Sequence, residues 1–145
     1  MSLTPAVGQR DHSLGPLDAP VTLVEYGDYE CGYCGEAYPV IQAVQRAMGD
    51  RLRFVFRNFP MKEVHPHAEH AAELAEAAAA ADRFWDMHAV LFENQGALDD
   101  DSLFFYGRQV GLGTNEITAA LNGRYAHKIR EDFMSGVRSG VNGPP

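Results

Sequence analysis

Residues 21–26, Val-Thr-Leu-Val-Glu-Tyr, form a short run that is β-branched and apolar on both faces, and they pass through Gly27-Asp28 into Cys31-Gly32-Tyr33-Cys34. A strand without a polar face belongs in the middle of a sheet covered on both sides. Directly after the cysteines the pattern changes period: Tyr38, Ile41, Val44 and Met48 recur at helical spacing, with Pro39 inside the run to kink it and Gly49-Asp50 to end it. Residues 51–59 then alternate, setting Leu52, Phe54 and Phe56 against Arg51, Arg53 and Arg57, as in a second strand with one face in the core and the arginines on a solvated face. Strand, helix, strand in that order implies a right-handed crossover and a parallel pair, so the chain is α/β.

The remainder fits around this unit. Residues 1–20, rich in Gly, Pro, Asp and Ser, read as an extended lead-in. From Pro66 the pattern is helical: an Ala-rich run at 71–81, a wide apolar stripe at 84–92, a segment at 103–110 after Asp100-Asp101-Ser102 as capping region, a short helix begun by Thr114, and a last one over about 124–137. Trp85, Met87, Leu91 and Phe92 are expected to pack in a core rather than line a groove. No repeat or low-complexity linker divides the 145 residues, which suit one domain with a single core. With 20 acidic against 12 basic residues and a formal charge of −8, the chain lacks the basic balance of a nucleic-acid binder. No stretch approaches the roughly eighteen apolar residues of a membrane span. The first residues lack the pattern of a secretory leader, which leaves the compartment open and leans to the cytoplasm.

The chemistry concentrates in the two cysteines. A bond within C-x-x-C closes almost no loop and adds little stability, so reversible redox chemistry or metal binding explains the pair better. Zinc would need two further ligands, and the only candidates are His65, His67 and His70, which suit a helix start as solvated or capping residues. The reading therefore calls for no metal and no cofactor. Cys31 falls where the chain enters a helix, where free N–H groups and the positive end of the dipole favour a thiolate. Cys34, one turn in, lies deeper. Cys31 is thus the attacking sulfur and Cys34 the resolving one. Glu25 interrupts an apolar strand; a buried carboxyl has a raised pKa and can accept the proton that Cys34 must lose.

Glu25, Cys31-x-x-Cys34 and Pro39 together resemble the thioredoxin superfamily. The phrase from Asp18 to Cys31, with His65-Pro66-His67-Ala68 and Phe84-Trp85-Asp86-Met87-His88, resembles DsbA-like thiol–disulfide oxidoreductases, including domains fused to bacterial sodium/proton antiporters. The resemblance implies a thioredoxin-like fold with a core at 11–64 and 138–145 and a helical insertion at 65–137. It also implies a β-hairpin and closing helix after Pro145, supplied by further residues or by another chain. A cis-proline facing the cysteines would be Pro145, holding substrate peptide together with Tyr33 and Pro144, although Pro144 has no N–H to offer. Implied partners are protein or peptide thiols and disulfides, a redox partner, and a membrane transporter. Gly32 and Tyr33 bring no positive charge to Cys31, and Asp28, Glu30 and Glu36 add negative charge, so the expected protein is a weaker oxidant than DsbA itself. Two other readings stand beside this one: a redox-sensing or peptide-binding regulatory module, and a thioredoxin- or glutaredoxin-like reductase.

Overall fold

The computed structural model describes residues 2–145. Three strands form one mixed sheet: β1 (His12–Leu14), β2 (Val21–Gly27) and β3 (Leu52–Asn58). β2 and β3 pair in parallel, from Val21 opposite Leu52 to Gly27 opposite Asn58, joined by α1 (Gly32–Met48) and a 3₁₀ turn at Gly49–Arg51. β1 pairs antiparallel with the other side of β3, His12 opposite Phe56 and Leu14 opposite Phe54, so the order is β1-β3-β2. The α/β class and the thioredoxin-like strand–helix–strand unit are as the sequence implies. The lead-in differs, because part of it is a strand.

The third strand changes which element is central. β3, not β2, has neighbours on both sides, and all its residues except Arg53 are buried. β2 is buried only towards its C-terminal end, and Val21 and Thr22 are exposed. Arg57 is corrected as well: it is 2% exposed rather than on a solvated face. Covering both faces of β3 enclosed it, and its guanidinium is fully occupied. Nε and Nη2 donate to Asp11 at 2.7 and 3.0 Å, and Nη1 donates to Ser135 Oγ at 2.8 Å and Tyr26 Oη at 3.0 Å. A charge is tolerated inside only when paired and hydrogen-bonded in this way.

Five helices follow: α2 (Ala68–Ala80), α3 (Phe84–Glu93), α4 (Asp100–Val110), α5 (Thr114–Leu121) and α6 (Ala126–Arg138). Two start signals shift by one residue. Asp99 caps α4, its carboxylate accepting from the Ser102 N–H, and Gly113 precedes α5, its N–H donating to Glu116 Oε1 at 3.2 Å. Met87 and Leu91 are fully buried and Phe92 nearly so, as expected of core residues. The alanines of α2 leave room for close neighbours, with Ala71, Ala75 and Ala78 buried in the same cluster as Leu103, Ile117 and Ala120. Gly107 of α4 shows how tight this is, since a Cβ there would lie 2.7 Å from Ile117 Cδ1 and 3.2 Å from Leu74 Cδ1. Gly107→Ala is therefore expected to destabilise by about 2 kcal/mol through overpacking, despite the better helix propensity of alanine. A thermal melt checks this, and an unchanged or raised midpoint would contradict it.

Candidate active site

The site is assembled where β2 feeds α1. Cys31 is the N-cap residue of α1 with extended backbone (φ −75°, ψ 124°), and no side chain caps this helix start. The dipole and the free N–H groups of the first turn therefore remain available to an anion at Cys31. Gly35 N–H donates to the Cys31 carbonyl at 3.1 Å. Cys34, one turn on, is 0% exposed, and burial pushes its thiol well above the usual cysteine range. Both cysteines are free thiols.

Asp28 organises the turn. Its carbonyl accepts from Cys31 N–H at 3.2 Å and its own N–H points at Cys34 Sγ at 3.4 Å. Its buried carboxylate accepts from Glu30 N–H at 2.8 Å, Met61 N–H at 2.9 Å and His65 Nδ1 at 2.7 Å. Glu30 in turn accepts from His67 N–H at 2.9 Å. The two acids read from the sequence as charge opposing Cys31 thus anchor residues 61–67 beside the site. His70 pairs with Asp100 at 2.7 Å, so His65 and His70 have separate carboxylate partners. Among the described residues no group of His, Cys, Asp and Glu is placed to hold a metal ion.

Glu25, opposite Phe56 in the sheet, is 6% exposed, and its Oε2 has no hydrogen-bond partner. Burial alone raises its pKa to about 7. It borders a cleft of about 210 Å³ with Tyr38, Phe54, Trp85 and His88. Its charge is near enough to help hold the Cys34 thiol protonated. His88 was not singled out in the sequence. Burial lowers its pKa to about 3, it lies among Phe56, Trp85 and Phe92, and its Nδ1 bonds Tyr29 Oη at 2.9 Å. A histidine within an apolar helical stripe was the available signal.

The remaining candidates divide. Tyr33 is 72% exposed on the first turn of α1. Pro145 does face the pair, with Cys31 Sγ 3.9 Å from its carbonyl oxygen. Cys31 is only 6% exposed, less open than an attacking sulfur was expected to be. The cis bond expected at Pro145 is absent; the cis peptide among the described residues is Thr4–Pro5. Pro144 is half-buried and no hydrogen bond involves it. Sequence reasoning missed Gln95, whose Nε2 donates to the carbonyls of Tyr29 at 2.9 Å and Cys31 at 2.8 Å.

A strand that delivers a cysteine pair into a helix N-terminus, with a buried carboxyl near the inner thiol, defines the class of dithiol–disulfide proteins built on the thioredoxin fold. The chain belongs to the thioredoxin family, whose model matches residues 8–145. It is similar to a thioredoxin-like oxidoreductase from Silicibacter pomeroyi, at TM-score 0.83 and 26% identity over 95% of this chain and 79% of that one. It is also similar to BdbD from Bacillus subtilis, at TM-score 0.78 and 25% identity over 92% and 78%. A curated relative, the Na(+)/H(+) antiporter NhaA 1 of Salinispora arenicola, is 42% identical over 99% of this chain, which spans 22% of that protein's length. These likenesses support the oxidoreductase class and agree with the resemblance carried by the motifs.

Proposed function

We propose that this domain exchanges disulfides with protein substrates through Cys31 and Cys34. The observation that carries the reading is the asymmetry of the pair: Cys31 at an uncapped helix start, Cys34 fully buried, and a buried, unpartnered Glu25 carboxyl near enough for its charge to be felt at Cys34. In the reducing direction the Cys31 thiolate attacks a substrate sulfur, forming a mixed disulfide and expelling one substrate thiolate. Cys34 then gives its proton to Glu25 and attacks Cys31 Sγ, closing the Cys31–Cys34 disulfide and releasing the second substrate thiolate. The oxidising direction reverses these steps. Exposed Tyr33 on the first turn of α1, with Pro145 near Cys31, would offer apolar surface to an extended peptide.

Insulin reduction with dithiothreitol and oxidative refolding of reduced ribonuclease test the reading. Turnover above buffer in either assay is expected, and none in both, from protein with two titratable thiols, would sink it. A second reading is favoured by one observation, the match to part of an antiporter: the domain serves a membrane transporter as a redox-responsive regulatory module. A stoichiometric change of redox state without turnover is its signature.

The oxidising power is tuned at Tyr33. Tyr33→His places an imidazole at the helix start, where it favours the Cys31 thiolate and hence the reduced form. The protein should become more oxidising, by about 30 mV for each tenfold change in equilibrium constant. Equilibration with glutathione measures this. An unchanged potential would mean that the helix N-terminus sets the chemistry without the side chain at 33.

A further inference from the structure

We infer that Gln95, in the loop between α3 and α4, is a positioning residue for Cys31, coupling the helical layer to the backbone that presents the reactive sulfur. The inference rests on the thiol–disulfide reading above. One amide nitrogen spends both of its protons on the turn, donating to Tyr29 O at 2.9 Å and Cys31 O at 2.8 Å. The amide orientation follows from those partners, because the flipped side chain would aim an oxygen at two carbonyl oxygens.

The first turn of α1 is shaped to receive this side chain. A Cβ at Gly35 would fall 2.0 Å from Gln95 Oε1 and 2.7 Å from its Cδ. Glycine inside a helix is otherwise disfavoured against alanine, so α1 gives up propensity at the position where Gln95 lies against it. The loop is held as well: Asn94 Nδ2 donates to Val90 O at 2.7 Å, Ala97 N–H to Asn94 O at 3.0 Å, and Tyr106 Oη to Ala97 O at 2.8 Å. A ring of bonds thus runs from α3 and α4 through Gln95 to Cys31.

The chemical consequence follows from where the bonds land. The Cys31 carbonyl belongs to the same residue as the reacting sulfur, and its negative end opposes a thiolate there. The Gly35 N–H donates to that oxygen, the Gln95 N–H donates to it as well, and the positive ends of these donors offset part of its negative field. Without Gln95 the Tyr29 carbonyl loses a partner, the turn loosens, and the thiolate form of Cys31 is less favoured. The protein then becomes a weaker oxidant and reacts more slowly at neutral pH.

The test compares the intact protein with Gln95→Leu, which keeps the bulk and removes both donors. The readouts are the rate of iodoacetamide alkylation at Cys31 across pH, mapped by mass spectrometry, and the equilibrium with glutathione. The alkylation profile should move to higher pH, with the rate at pH 7 reduced about threefold to tenfold. The disulfide form should gain about tenfold, making the potential about 30 mV more reducing. A folded Gln95→Leu with an unchanged profile and potential overturns the inference, even if its melting temperature falls. Gly35→Ala displaces the amide without deleting it and should move both readouts the same way. In a Gln95→Ala background, Gly35→Ala should add little, whereas additive effects would break the coupling. Should Gln95→Leu fail to fold, unchanged readouts in Gly35→Ala overturn the inference. Wild-type protein that forms no disulfide at any glutathione ratio would instead sink the exchange reading, and the alkylation profile would still decide the role of Gln95.

Discussion

If the proposed exchange holds, Cys34→Ala protein should accumulate mixed disulfides with oxidised peptides, while Cys31→Ala protein should form none and lose exchange altogether. The reason is the division of labour imposed by burial. Cys34 is sealed from solvent and its thiol is held protonated, so it reaches no substrate directly. Its one accessible electrophile is the Cys31 sulfur beside it, once that sulfur carries a substrate. Removing Cys34 leaves the first attack intact and deletes the step that releases the adduct. Removing Cys31 deletes the first attack. Incubation with an oxidised peptide, followed by non-reducing electrophoresis and intact mass, reads both variants. An adduct on Cys31→Ala, or equal trapping by the two variants, would reverse or abolish the assignment. The fold should survive in each case. Cys34→Ala leaves the Asp28 N–H without its sulfur acceptor at 3.4 Å, a loss on the order of 1 kcal/mol.

What could be read from the sequence was what is encoded locally. The β2–turn–α1 unit places Cys31, Cys34 and Glu25 within ten consecutive positions (25–34), so strand pattern, turn and helix start suffice to bring them together. The family's fold was legible for the same reason. What escaped depends on partners distant in the chain. β1 is three residues, His12–Leu14, too short to carry a period, and it exists because the edge of β3 is there to pair with. Its arrival moves β3 to the centre, which is why the alternation of arginines misled. Arg57 could be enclosed once Asp11 came with β1 to meet it. Asp28 and Glu30 looked like free charge near the cysteines until residues 61–67 folded back to use them. Gln95 is a single amide in a polar loop, with no pattern to mark that it would touch Cys31 O.

Glu25→Gln should slow resolution of the mixed disulfide about ten- to a hundredfold, the low end of what loss of a general base costs, and leave the first attack almost unchanged. The asymmetry follows from position: Glu25 lies near the buried thiol, and its charge is felt at Cys34. Rapid mixing with a peptide disulfide, monitoring both thiol release steps, separates the two rates. Equal slowing of both, or of neither, would make Glu25 a structural residue. The same substitution carries a stability signature with a fixed sign. In the folded protein burial penalises the charged form and pushes the carboxyl up to about 7 from its ordinary 4.5. The unfolded chain therefore releases this proton first as pH rises. Folded stability is full below about pH 4.5, falls between there and pH 7, and levels off above, for a total loss of about 3 kcal/mol. Glutamine has no proton to lose, so that part of the pH dependence should vanish. Melting temperatures of the two proteins should diverge from pH 4 to pH 8 in favour of Glu25→Gln, by roughly 2–4 °C for each kcal/mol. Parallel curves would mean that water or a conformational change relieves the buried charge.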